Sequence, residues 1–125
     1  MTKIFISLAA IFGGSSVAAG AFASHALKEQ LSERALEIFE VGARYQMYHA
    51  LALLLVAILL GQSQTPTTSL IASGWLFIIG ILIFSGSLYA LSLSNIKILG
   101  AITPLGGVAF IAGWGALLIA AFSYQ

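Results

Sequence analysis

Between Tyr45 and Ile96 the chain runs for 52 residues without one charged side chain. Two further uncharged stretches flank it, Ile4 to Leu27 and Ile98 to Gln125. Seven of the nine charges fall between Lys28 and Arg44, and only Lys3 and Lys97 lie elsewhere. A soluble domain carries about 25% charged residues because its surface faces water. Here the figure is 7%, with 60% hydrophobic residues and a mean hydropathy of +1.05. That composition excludes an ordinary water-soluble globule, and it excludes disorder, which requires the opposite balance.

A bilayer core of about 30 Å takes roughly 20 helical residues at 1.5 Å each. As one helix the central run would reach about 78 Å, so it must turn back. Its only polar break is Gln62-Ser63-Gln64-Thr65-Pro66-Thr67-Thr68-Ser69, whose proline and hydroxylated residues punctuate a loop. The pattern predicts an all-α polytopic membrane protein, a single domain over 1–125. Its spans are placed near 4–24, 45–61, 70–93 and 99–123. A transmembrane β-barrel would need alternating apolar and polar residues, and these runs are apolar on all sides.

The N-terminus imitates a signal peptide, with Lys3, an apolar stretch from Ile4, and Ala21-Phe22-Ala23 before Ser24. The uncharged run extends well past a typical signal core, so the segment is read as an uncleaved first span. Basic residues set orientation. With four spans, Lys28, Arg34, Arg44 and Lys97 share one side, against Lys3 on the other. The expected arrangement has the 25–44 and 94–98 connections in the cytoplasm and both termini outside, in the cell's inner (plasma) membrane.

Glu29, Glu33, Glu37, Glu40 and Arg44 follow a 4-4-3-4 spacing that lines one face of a helix. Leu27, Leu31, Ile38 and Tyr45 lie largely opposite. Ser32 is placed to cap a helix starting at Glu33, and Glu40 can pair with Arg44 at i, i+4. Residues 28–44 therefore read as an amphipathic interfacial helix between the first two spans, the alternative being a solvated acidic helix. No break separates Arg34 from Gly61, so the segment can also bend and run on into the second span.

Small residues recur along the spans. Ala9, Gly13, Ser16, Gly20 and Ala23 form one stripe, and Gly106, Ala109, Gly113, Ala116 and Ala120 another. Ser73, Gly80 and Ser87 repeat at sevens. In lipid such residues let helices approach closely. Gly13, Ser16, Gly20, Gly106, Ala109 and Gly113 are therefore the expected packing positions of a compact four-helix bundle. Pro104 and Gly106-Gly107 predict a kink early in the last helix.

No ionisable residue is predicted at the membrane centre. The nearest candidates are His25, closing the first span, with Tyr45, Gln46 and His49 opening the second. On this topology the histidines share one membrane boundary, where a polar site could take a headgroup, a proton or a metal. The plainer reading has each histidine bonded to backbone at the interface. Bis-histidine haem ligation would need the two rings facing across an apolar cleft. No catalytic motif is present, and the chain has neither cysteine nor aspartate. An enzyme is not expected, nor is any cofactor or resident metal. The net charge of +1 argues against nucleic acid. The expected partners are the lipid bilayer and either a second copy or a larger membrane complex.

Gly20-Ala21-Phe22-Ala23-Ser24-His25-Ala26-Leu27, Tyr45-Gln46-Met47-Tyr48-His49-Ala50 and Gly86-Ser87-Leu88-Tyr89 form three motifs. A fourth is Leu99-Gly100-Ala101-Ile102-Thr103-Pro104-Leu105-Gly106-Gly107, with Phe110, Gly113 and Trp114 beyond it. Together they resemble the domain-of-unknown-function 423 family, small inner-membrane proteins of bacteria. Ala23-Ser24 stands where that family's pattern has Gly-Ala, a change of small for small. The resemblance implies four spans and an uncleaved N-terminus, and it implies no activity, substrate or cofactor. It draws attention to His25, Gln46, His49, Tyr89, Thr103 and Pro104, which its motifs contain. A structural or accessory bundle is the expected function. The alternative is a small-solute, lipid or proton carrier working around His25 and His49.

Overall fold

The computed structural model describes residues 1–125. It contains four helices long and apolar enough to cross a membrane: α1 (Thr2–His25), α2 (Glu33–Gln62), α3 (Thr68–Ser94) and α4 (Leu99–Phe122). Local chemistry sets their ends. The Ser32 hydroxyl accepts the Ala35 N–H at 3.1 Å, with Glu33 in the first turn of α2, where an acid suits the positive helix end. Thr67 caps α3 by accepting the Leu70 N–H at 3.3 Å. At the end of α3, Asn95 takes the left-handed conformation at φ 58°, and its N–H closes on the Leu91 carbonyl at 2.8 Å.

Each helix overlaps one of the four expected spans, and α2 starts well before the expected 45–61. Residues 28–44 do not form a separate helix. Residues 26–32 make a turn, and 33–44 are the first part of α2. The reason is packing against α1. Ala23, Leu27 and Phe39 form a small buried cluster, and the Ser16 hydroxyl donates to the Ala43 carbonyl at 2.6 Å. These contacts hold the start of α2 alongside the second half of α1.

At the centre α2 packs on α3, while α1 lies along α2 and α4 along α3. The main core gathers Phe5, Leu53, Val56, Leu70, Phe77 and Phe110 with their neighbours. Large apolar side chains cover the outside, Ile111 at 74% and Phe122 at 87% exposure among them, as a lipid-facing surface requires. α3 is α-helical to Gly80, takes one π-helical turn over Ile81–Ser85, and resumes as α-helix to Ser94. α4 runs from Leu99 to Phe122 with Pro104 inside it.

Candidate functional site

Antiparallel register fixes where the polar residues stand. Ser16 lies beside Ala43, and Gln46 beside Phe12. Gln46 is thus level with the middle of α1. The 33–44 charges had marked Tyr45 as the start of a span, but the helix begins three turns earlier.

Gln46 is buried and ties three helices together. Its amide nitrogen donates to the Phe12 carbonyl at 2.8 Å and to Ser15 Oγ at 2.7 Å, both on α1. Its Oε1 accepts the Tyr89 hydroxyl of α3 at 2.6 Å. Both amide hydrogens and the carbonyl are therefore used. Gly42, one turn before Gln46 on α2, makes room for this. A Cβ there would stand 3.0 Å from the Tyr89 ring.

His49 belongs to a second cluster, facing α4. The indole N–H of Trp114 lies 3.1 Å from its Nε2, and an indole can only donate. Nε2 must then accept, which assigns the proton to Nδ1, 2.8 Å from the Tyr45 carbonyl. The Phe110 ring stacks on the imidazole at a centroid distance of 3.6 Å and an angle of 10°. Tyr45 is partly exposed, its ring 5.0 Å from that of Phe84.

The sequence grouping of His25, Tyr45, Gln46 and His49 is therefore divided. The last three share α2 but serve two different clusters, and His25 is exposed at the end of α1. By the α1–α2 register His25 stands level with Arg34, fifteen residues or roughly 23 Å from His49. No single haem iron or metal ion can be held by both imidazoles of one chain.

Span serines do work that the sequence reading missed. Ser73 donates to the Gly113 carbonyl at 2.9 Å and Ser85 to the Gly42 carbonyl at 2.7 Å, while Ser87 and Thr103 share a bond of 2.6 Å. The sevenfold spacing of Ser73, Gly80 and Ser87 was a visible signal for this. Trp114 as a partner of His49 had none beyond its type. No buried side-chain nitrogen or oxygen lacks a partner.

The packing glycines behave unequally. A Cβ on Gly106 would fall 2.3 Å from the Phe84 nitrogen, and one on Gly113 2.7 Å from the Phe77 ring. Ala109 is buried beside them and Ser16 is buried against α2. At Gly13 and Gly20, expected to pack likewise, a Cβ would meet nothing within 4 Å. Beside Gly20 runs a groove of about 400 Å³, lined by Ser16, Gly20 and Ser24 of α1 and by Glu40, Ala43, Arg44 and Met47 of α2. The expected Glu40–Arg44 pair is not formed. The ion pair within 4 Å is Arg34–Glu37 at 3.1 Å.

Four apolar helices that bond their polar groups to one another define a polytopic α-helical membrane protein. Residues 19–107 match the family described as a protein of unknown function (DUF423), and the chain belongs to that family, as its motifs suggested. A UPF0382 membrane protein of Staphylococcus haemolyticus is 44% identical to it over 122 residues, 98% of each chain. The UPF0382 membrane protein YwdK of Bacillus subtilis is 47% identical over the same length and share. One from Staphylococcus aureus is 46% identical, again over 98% of both. No solved structure matches.

Proposed function

We propose that the chain is a structural or accessory membrane protein, not an enzyme, that works by packing as a rigid bundle with a second copy or within a larger membrane complex. One observation carries this reading: the buried polar groups are spent on the fold. Gln46 satisfies α1 and α3, and His49 is bonded to Tyr45 and Trp114. A carrier at His25 and His49 would need them to share a polar path, and roughly 23 Å along α2 separates them. The accompanying orientation has the 26–32 and 95–98 turns in the cytoplasm and both termini outside the inner (plasma) membrane. Lys28 and Lys97 in those turns, with Arg34 in the first turn of α2, against Lys3 support it.

Gently solubilised membranes test the assembly. The protein should migrate in a species larger than its 13.1 kDa chain and should conduct no solute or proton in proteoliposomes. A monomer that supports flux would overturn the reading. The chain has no cysteine, so single cysteines at Gln30 and Ser123 report the orientation. An impermeant maleimide should label Ser123→Cys in intact cells and leave Gln30→Cys unlabelled. The reverse result would invert it.

A further inference from the structure

We infer that the α1–α2 groove holds the headgroup of a zwitterionic aminophospholipid, with the phosphate at Arg44 and the ammonium at Glu40. The register puts Arg44 level with Ser15 and Glu40 one turn nearer the 26–32 end. Both charges thus run alongside α1, which is uncharged from Ile4 to Leu27. Arg44 is exposed, Glu40 is half-buried, and they do not pair with each other.

The walls of the groove sort its hydrogen-bonding capacity by depth. Ser16 has given its hydroxyl hydrogen to Ala43 and Ser24 has given its own to Gly20, at 2.6 and 3.0 Å. Ser24, at the mouth, is left with lone pairs only, as is the Glu40 carboxylate. The guanidinium deeper in the groove offers donors only. A simple anion would meet Glu40, and a simple cation would meet Arg44. A headgroup with its phosphate toward the membrane interior and its ammonium toward the surface meets neither mismatch. Side chains on a helix lean toward its N-terminus, which on α2 is the 26–32 end, so Arg44 is lifted toward the phosphate level. Gly20 leaves the entrance free of side chain.

This inference does not rest on the accessory reading, and its test does not measure assembly or flux. The full-length protein, extracted in mild detergent, is titrated with phosphatidylethanolamine, phosphatidylglycerol and tail-less phosphoethanolamine under native mass spectrometry. Wild type should retain phosphatidylethanolamine in preference to phosphatidylglycerol and should not retain phosphoethanolamine. Arg44→Gln should weaken both lipids by about tenfold or more, the loss of a charge-assisted bond. Glu40→Gln should erase the preference between them. Gly20→Leu, which fills the groove where nothing would clash, should exclude lipid with both charges intact and thermal stability unchanged. Equal lipid retention by wild type and Arg44→Gln would overturn the proposal. So would phosphoethanolamine binding as tightly as the lipid, or a protein dimer lost in Gly20→Leu with no lipid bound.

Discussion

In the α3–α4 pair the stripe glycines are pressed against a neighbour, whereas on α1 two of the five stripe residues leave room beside them. Gly106 abuts the Phe84 backbone, Gly80 abuts the Phe110 ring and Gly113 abuts the Phe77 ring. On α1 only Ala9, Ser16 and Ala23 of the equivalent stripe are buried, and a Cβ added at Gly13 or Gly20 would meet nothing within 4 Å. The two stripes are written with the same alternation of threes and fours. Their partners decide the difference. α4 meets the Phe77 ring and the Phe84 backbone of α3 across its missing side chains, and α1 meets Ala43, which is itself small. A stripe of small residues thus permits close approach without guaranteeing it, and hydrogen bonds tie both pairs, with close-fitting rings added in the α3–α4 pair.

Four lead substitutions, two of them with a companion variant, break or sharpen that contrast. Gly106→Val should cost the most, about 3 kcal/mol, because its Cβ meets backbone that cannot give way. Reversible unfolding in mixed micelles would read it, and a loss below 1 kcal/mol would show that α4 can slide. Gln46→Leu should follow at roughly 2 kcal/mol, since it takes the acceptor from the Tyr89 hydroxyl and a donor from the Phe12 carbonyl. The same assay should show Gln46→Leu and Tyr89→Phe to be strongly non-additive, and simple additivity would deny that the two share one network. Trp114→Phe should cost about 1 kcal/mol by removing the donor to His49 Nε2. Its companion His49→Phe should shift indole fluorescence, and an unchanged spectrum would mean that the bond does not persist. Gly13→Ala should change stability by less than about 0.5 kcal/mol. A large loss there would mean that the face of α1 is covered.

The spans, the loop at Pro66 and the cap at Ser32 were legible because each is written locally, in apolar run lengths and in the residues that bond a helix end. The depth of Gln46 and His49 was not. Charge pattern alone suggested that the membrane begins after Arg44, but charge pattern cannot tell a helix lying on the surface from one standing beside another helix. The contacts that decide it, Ser16 with Ala43 and Phe39 with Ala23, join residues far apart in the chain. The same blindness grouped His25 with His49 and paired Glu40 with Arg44, since proximity in sequence substituted for register. Serine partners were half legible. The Ser73, Gly80 and Ser87 repeat was visible as spacing, but the carbonyls it would reach were not.

The π turn at Ile81–Ser85 imposes a constraint on how this chain can vary. Upstream of it, Ser73 and Gly80 are committed to α4. Downstream, Tyr89 is committed to Gln46 on α2. Each residue of a helix adds about 100° of rotation and 1.5 Å of rise. A π turn holds one residue more than the α turn it replaces, so one residue can be lost there with the helix closing to plain α. Losing a second between Ser73 and Tyr89 would turn one set of contacts away from its partner while the other stayed in place. A two-residue deletion there would uncouple the two halves of the protein even if every helix still formed.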